Sequence, residues 1–462
     1  MSDLAVNNMV AQQQKRYMKL SPSNSGSASF SYSKGNPVIR FAIAEADAYL
    51  IGPEVRLNFD LNVYTTGVTQ VASEAVIFNI DPQVGTQGVI QTLSVSSRRY
   101  ATSLLETIHN YPRLCSSLFS ALHDPRDTQF QLFNEQKSSM VGHINTKGRN
   151  FYEDNDIKLD ETLLRHNRKG YAPVVAGTRK NGTTSHSIRL VAGTFMSNDI
   201  NLKLLGGLEV EIHLAPDSNL FFGTGAPATS NYVLTNVSLT APILYMNEAQ
   251  MGAMSGGNPQ TMSFLSWSSL YNVITSTDAS VVNRVGLKRV LSTFQNYIPT
   301  DQLNNFSNNG MSCYDPGVKR LTYHRNGQRF PYEYAVQVNN SQNLLKKSET
   351  ALKPQILRNY LSAFRNFRDI KHSAVVPENI MRYNATDDNT ELGVFGTGCN
   401  FDEVSAQGID LETGTFGFTM ESKLWTPGTD DGATLKDYGV FQFFLAKNTI
   451  VVQPGARASV IQ

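Results

Sequence analysis

The feature that most constrains this chain is an alternation of apolar and polar residues that recurs along its length. In residues 55–64 every second side chain is apolar, from Val55 to Val63. An extended strand with this pattern can bury one face against a core and leave the other face in water. Such half-buried strands are typical of antiparallel sheets, so the chain is predicted to be all-β.

Similar patterns predict most of the remaining strands. Residues 208–214 alternate most clearly, with Glu209, Glu211 and His213 on the polar face. The other predicted strands are residues 89–95, 187–191, 232–244, 264–274, 287–297, 318–324, 330–338, 415–425, 439–445 and 449–452. Asn326-Gly327 lies between two of these strands and is a strong hairpin signal, because both residue types accept a positive φ.

Two segments carry the spacing of a helix instead. Apolar residues recur every three or four positions from Leu104 to Leu122, where Pro112 is predicted to separate two short helices. Residues 354–367 form one broad apolar stripe and predict a further helix. Both regions are predicted to pack on their own sheets, since a wide apolar stripe usually faces a core.

The 462 residues are enough for two or three domains. Residues 21–35 are rich in Ser and Gly and predict a linker, whereas the polar residues 304–316 predict a domain boundary. Residues 98–186 become polar and charged after the helical segment, so they are predicted to be a long surface insertion. The predicted organisation is an N-terminal arm and linker at 1–36, a first domain at 37–303 that holds this insertion, and a second domain at 304–462.

Charge and composition argue against several classes of function. The chain carries 40 Lys and Arg against 39 Asp and Glu, a net charge of +1. A coat that neutralised a genome by itself would need an excess of positive charge, so direct sequence-specific binding of nucleic acid is not expected. No apolar run approaches the ~18 residues of a membrane span, and the three scattered cysteines do not suggest a disulfide framework.

Motifs that carry catalysis or metal binding are missing from the sequence. His109 and His123, the nearest pair of histidines, are 14 positions apart, and there is no Cys-x-x-Cys, P-loop or Gly-x-Ser-x-Gly. Glu209 and Glu211 share a strand face and residues 153–156 are acidic, but both groups are interpreted as solvated surface. The sequence therefore predicts no catalytic, cofactor-binding or metal-ligating residue, and no enzyme activity.

Four stretches of sequence, taken in order, resemble one known family. They are Leu105-Glu106-Thr107-Ile108-His109-Asn110-Tyr111, residues 201–214, residues 232–239 and Asn326-Gly327-Gln328-Arg329-Phe330-Pro331. In this order and spacing they are similar to segments of the double jelly-roll major capsid proteins of the virophage, polinton and polinton-like virus group. The resemblance covers most of the chain outside residues 125–185.

The resemblance implies a fold and a function. The fold would be two consecutive eight-stranded antiparallel jelly rolls with short inserted helices, and three chains would form a pseudo-hexagonal homotrimer. Such trimers, assembled inside the host cell, would tile the icosahedral shell of a virion and contact neighbouring capsomers, penton proteins and minor capsid proteins. The insertion at 98–186 would form an outer tower. The N-terminal arm would lie at the inner base, where it could contact an internal membrane.

One alternative function stays open at the level of the sequence. A two-domain β-sandwich can also bind or process carbohydrate, because sandwich folds host many unrelated functions. A carbohydrate-binding or carbohydrate-active protein of this kind is expected to be a monomer, whereas a capsid protein is expected to be a trimer.

Overall fold

The structure is a computed structural model that describes the chain in stretches separated by gaps. The described residues are 15–24, 29–45, 47–64, 84–99, 103–121, 180–197, 199–220, 231–246, 260–306, 310–311, 313–314, 316–335, 354–364, 395–402, 405, 407–424, 435–452 and 458–461.

Strands make up most of the described chain. Those of the first half are β1 (Lys15–Leu20), β2 (Ser29–Phe30), β3 (Val38–Ile43), β4 (Ala48–Leu50), β5 (Arg56–Tyr64), β6 (Ile90–Ser97), β7 (Ser103–His109), β8 (Lys180–Arg189), β9 (Ile200–Asn201), β10 (Leu208–Leu214) and β11 (Asn231–Tyr245). Those of the second half are β12 (Gln260–Ile274), β13 (Asp278–Asn283), β14 (Val290–Pro299), β15 (Arg320–Arg325), β16 (Gln328–Ala335), β17 (Gly396–Asn400), β18 (Phe416–Glu421), β19 (Tyr438–Val452) and β20 (Ala458–Ile461).

Short helices connect some of these strands. The α-helices are α1 (Tyr111–Ala121), α2 (Gly193–Ser197), α3 (Leu202–Leu205), α4 (Asp217–Leu220) and α5 (Pro354–Ser362). Single 3₁₀ turns occupy Gly52–Glu54, Gly85–Val89 and Thr300–Gln302. Within the described residues, no helix has the length and apolar character needed to cross a membrane.

Each half of the chain forms two antiparallel sheets. In the first half, one sheet has the order β8-β5-β11-β4-β9, with β1 and β2 also paired to β11, and the other has the order β3-β10-β6-β7. In the second half, one sheet has the order β12-β19-β14-β17, with β20 also paired to β19, and the other has the order β13-β18-β15-β16. Among the described strands, every pairing stays within one half.

The two halves repeat one strand order. In the first half, β11 lies between β5 on one side and β1 with β2 on the other, and β8 lies beyond β5. In the second half, β19 takes the place of β11: it lies between β14 and β12, and β17 lies beyond β14. The order β3-β10-β6-β7 likewise corresponds strand by strand to β13-β18-β15-β16. Two packed antiparallel sheets with this connectivity form a jelly roll. The prediction of an all-β chain with two consecutive jelly rolls is confirmed.

The inward faces of the strands form a continuous apolar core through both rolls. On β5, Leu57, Phe59 and Leu61 are buried as the alternation predicts, and β10 alternates strictly between buried and half-buried residues. β14 departs from this pattern, because all of its residues are buried on both faces. A second layer covers its outer face, where Phe294 contacts Phe364, just beyond the end of α5, with ring centroids 4.6 Å apart.

The predicted domain boundary at residue 304 is wrong. Strands β12, β13 and β14 precede that position but pair with β19, β18 and β17, which follow it. The second roll therefore begins with β12, and the first ends with β11. Residues 304–316 connect β14 to β15, from one sheet of the second roll to the other. Their polar composition marks a loop, but only long-range pairing decides which strands belong together.

The N-terminal arm predicted at 1–36 is also shorter than expected. Residues Lys15 to Leu20 pair in register with Leu244 to Leu239 of β11, and β2 pairs with the same strand. Together β1 and β2 take the place in the first roll that β12 takes in the second. The Ser- and Gly-rich segment that looked like a linker interrupts an edge strand, and residues 1–14 lie outside the described residues.

The predicted insertion at 98–186 and its helices are partly wrong. Residues 103–109 form β7 rather than a helix, and β8 begins at Lys180, so both ends of the segment belong to sheets. β7 carries a bulge at Leu105: Glu106 lies opposite Val95, and Leu104 lies opposite Ser96. The extra residue breaks the two-residue period, which is why the apolar spacing resembled a helix. Residues 122–179, the body of the predicted tower, lie outside the described residues.

Two local predictions are confirmed. Asn326 and Gly327 have φ values of 50° and 76° and join β15 to β16 as a two-residue hairpin turn. The predicted helix at 354–367 is present as α5, which ends at Ser362; residues 365–367 lie outside the described residues. Pro112 is the second residue of α1, where its missing N–H has no helical partner to lose.

Candidate functional site: the seam between the two rolls

The acidic face of β10, interpreted from the sequence as solvated surface, carries an ion cluster around Glu211. The Glu211 carboxylate accepts hydrogen bonds from Arg40 Nε and His213 Nε2, each at 2.6 Å. Partial burial raises the pKa of Glu211, but these bonds outweigh it and hold the pKa below its usual value. Within the described ranges, no group of three or more His, Cys, Asp or Glu is placed to hold a metal ion. His123 and residues 153–156 lie outside those ranges.

The groups with the most specific environment instead lie where the two rolls meet. We call this region the inter-roll seam, and it comprises Glu106, Gly193 and α1 of the first roll with β12 and β14 of the second. Glu106 on β7 is buried, and its carboxylate faces the backbone of β12. Oε1 accepts from Trp267 N at 2.6 Å and Gly193 N at 3.0 Å. Oε2 accepts from the backbone N and the hydroxyl of Thr194 at 2.8 and 2.7 Å.

Electrostatics at Glu106 reflect two opposing effects. Burial raises the pKa of its carboxyl group above the usual value, whereas the hydrogen bonds from Trp267, Thr194 and Gly193 lower it, and burial has the larger effect. A buried carboxylate is tolerated only where donors satisfy it. Because one of those donors belongs to the second roll, Glu106 ties the backbone of β12 to the first roll.

Gly193 lets the two backbones approach closely at the same place. A Cβ atom at this position would lie 2.8 Å from the carbonyl oxygen of Leu265 and 2.9 Å from Cα of Ser266, both on β12. These are backbone atoms of a paired strand and cannot move aside cheaply. Only glycine allows the first residue of α2 to lie directly against β12.

Helix α1 extends the inter-roll seam across the second roll. Ser117 Oγ accepts a hydrogen bond from Asn296 Nδ2 on β14 at 2.9 Å. The buried guanidinium of Arg113 donates to the carbonyl oxygen of Gly310 and lies 4.8 Å from the ring centroid of Phe441 on β19. Just before the N-terminus of α1, the carbonyl oxygen of His109 accepts a hydrogen bond from Ser269 Oγ on β12 at 2.8 Å.

Sequence reasoning missed these residues as a site. Glu106 did carry a signal, because a lone carboxylate inside the apolar segment Leu104 to Ile108 needs a buried partner. Gly193 and Arg113 carried none, since their neighbours across the inter-roll seam are more than 70 positions away. What the arrangement does is to hold the two rolls side by side in a defined orientation.

The repeated strand order and the inter-roll seam define the class of fold, a double jelly roll. No protein-family model matches the sequence, and no curated protein matches it at significance. Solved structures do match. A chain in the cryo-EM structure of the Sputnik virophage is similar over 97% of this chain and 88% of its own, with 11% identity and a TM-score of 0.58.

Two further solved structures are similar to the same extent. The Faustovirus major capsid protein matches 96% of this chain and 91% of its own, with 8% identity and a TM-score of 0.56. The mavirus major capsid protein matches 96% of this chain and 90% of its own, with 9% identity and a TM-score of 0.50. The chain thus has the double jelly-roll fold of these major capsid proteins, as the sequence resemblance predicted.

Proposed function

We propose that this chain is the major capsid protein of a virus and that it works by self-association, without catalysis. The observation that carries the proposal is the double jelly roll, shared over 96% of this chain with two major capsid proteins. Each chain contains two similar lobes. A closed ring of three chains therefore has six similar lobes. That pseudo-hexagonal homotrimer is the unit proposed to tile an icosahedral shell of the virion.

Exposed apolar side chains on edge strands support self-association. Tyr17 on β1, Val273 on β12 and Val282 on β13 are 61%, 46% and 63% exposed. Within the described part of the chain, strands β1, β12 and β13 each have a neighbouring strand on one side only. An edge strand with exposed apolar residues is a surface that proteins usually cover, and subunit contacts are one way to cover it.

The finer parts of the proposal concern the ends and loops of the rolls. Residues 122–179, which follow α1, are proposed to form the outer tower. Residues 1–14 are proposed to form the inner arm, which reaches neighbouring capsomers, penton or minor capsid proteins, or an internal membrane. The net charge of +1 supports the view that genome charge is balanced by other components.

The oligomeric state of the purified protein tests the proposal. A trimer of 51.1 kDa chains has a mass of about 153 kDa, which mass photometry separates clearly from the monomer. The expected result is a trimer with a near-hexagonal outline in negative-stain images. A stable monomer that releases products from glycans would instead support the carbohydrate-active alternative.

A further inference from the structure

A cleft opens to solvent between the two rolls, next to the inter-roll seam. Its volume is about 320 Å³, within the range of about 300–1,000 Å³ typical of small-ligand sites. The first roll contributes Gln91, Asn110 and Asn219 to its lining, and the second contributes Tyr271 and Phe441. Both rolls are therefore needed to form it, and a ligand in the cleft would contact each of them.

The polar wall of the cleft is a chain of three amides. Asn219 Nδ2 donates to Gln91 Oε1 at 3.4 Å, and Gln91 Nε2 donates to Asn110 Oδ1 at 3.1 Å. Each amide holds the next in place, and the ends of the chain present a carbonyl oxygen at Asn219 and an NH₂ group at Asn110. Reversing all three amides would still leave one donor and one acceptor at the ends. Hydroxyl groups, which can either donate or accept a hydrogen bond, complement both ends of this amide chain.

The second roll contributes an aromatic platform to the lining of the cleft. The centroid of the Tyr271 ring lies 4.8 Å from that of the Phe441 ring. The Tyr271 ring also packs directly on the backbone at Gly439, where a Cβ atom would lie 2.9 Å from the ring. Tyr271 is nevertheless 45% exposed. Its ring is thus held in position and offers a free surface. An aromatic face of this kind attracts the weakly positive C–H groups on one face of a saturated, hydroxylated ring.

The charge of the cleft narrows the class of ligand. Arg113 is the one charged residue among the described lining residues, and its guanidinium already donates to the Gly310 carbonyl and stacks on Phe441. No carboxylate lines the cleft in the described part of the chain, and the Arg113 guanidinium disfavours a cationic ligand. The amides and the aromatic face together complement a neutral polyhydroxyl ring.

We infer that this cleft is a binding site for a neutral sugar residue, such as a hexose at the end of a glycan. The inference does not depend on the capsid proposal, because it concerns a cleft within one chain. Sugar contacts with Tyr271 and with the amide chain would bridge the two rolls. Binding therefore should also raise the melting temperature of the protein.

Saturation-transfer NMR on the full chain tests the site, with the methyl glycosides of glucose, galactose, mannose and N-acetylglucosamine as probes and glucuronate as the acidic comparison. At least one neutral glycoside should receive saturation. Tyr271→Ala should weaken its binding roughly tenfold or more. Tyr32→Ala is the matched control, because Tyr32 is a tyrosine of similar exposure that does not line the cleft. This variant should bind the glycoside as tightly as the wild type.

A second variant keeps the inference testable if Tyr271→Ala fails to fold. Asn219→Leu removes one end of the amide chain without touching β12, and it too should weaken binding at an unchanged melting temperature of the free protein. The inference is overturned if no neutral glycoside binds, if only glucuronate binds, or if folded Tyr271→Ala and Asn219→Leu bind as tightly as the wild type. The oligomeric state measured above is a separate readout, so either proposal can fail alone.

Discussion

Replacing Phe59 by aspartate should prevent the first roll from folding, and the structure gives the magnitude. Phe59 is 2% exposed on β5, and its ring centroid lies 5.5 Å from that of His186 on the neighbouring strand. Truncation to alanine alone costs about 3–5 kcal/mol at a buried phenylalanine. An unpaired carboxylate at this position adds several kcal/mol more. The sum approaches the whole stability of a typical domain, about 5–15 kcal/mol.

Three variants separate burial from the mere introduction of charge. Phe59→Ala should lower the melting temperature by about 6–20 °C, at about 2–4 °C per kcal/mol for a roll of this size. Phe59→Asp should yield no soluble trimer in size-exclusion chromatography. Leu435→Asp, at an exposed apolar position just before β19, should fold with a stability within about 0.5 kcal/mol of the wild type. A soluble Phe59→Asp protein with a near-normal melting temperature would show that the burial argument is mistaken.

Three further predictions concern the inter-roll seam and the N-terminal strand. Burial raises the folded-state pKa of Glu106 above its ordinary value of 4.5, so the folded protein binds more protons than the unfolded chain. The stability of the wild type relative to Glu106→Gln should therefore fall as pH rises above about 4.5. Scanning fluorimetry from pH 4 to pH 8 checks this, and a difference that is constant or grows with pH would contradict it. Gly193→Ala should destabilise the protein, because the added Cβ atom would clash with the carbonyl oxygen of Leu265. An unchanged melting temperature would mean that the backbone at the inter-roll seam moves apart at little cost in free energy. Deleting residues 2–20 removes β1 and uncovers the edge of β11, so the melting temperature of the purified protein should drop; unchanged melting would instead favour an arm that is independent of the fold.

The local structure of this chain follows closely from its sequence. The alternation in β5 and β10 identifies their buried faces correctly, and Asn326-Gly327 specifies its turn. These features depend on neighbouring residues alone, because the two-residue period of a strand and the φ values of a turn are local properties. The all-β class follows from these local patterns, whereas the resemblance to double jelly-roll proteins depends on the order and spacing of particular sequence segments.

The sequence misleads where a local pattern is altered by a distant partner. The bulge at Leu105 disguises β7 as a helix, because the bulge exists only in pairing with β6. The polar residues 304–316 look like a domain boundary, although they join two sheets of one roll. The Ser- and Gly-rich segment near the N-terminus resembles a linker, yet the residues on either side of it pair with β11.

By itself, then, the sequence determined the strand class, the faces of the best strands, the hairpin turn and the resemblance to double jelly-roll proteins. The tertiary structure alone decided where one roll ends and the next begins, that residues 15–20 form a strand, and that Glu106 and Gly193 meet β12. The physical reason is the range of the interactions. Periodicity and turn chemistry act over a few residues, whereas strand pairing and the satisfaction of a buried carboxylate join groups up to 229 positions apart, as Lys15 and Leu244 are.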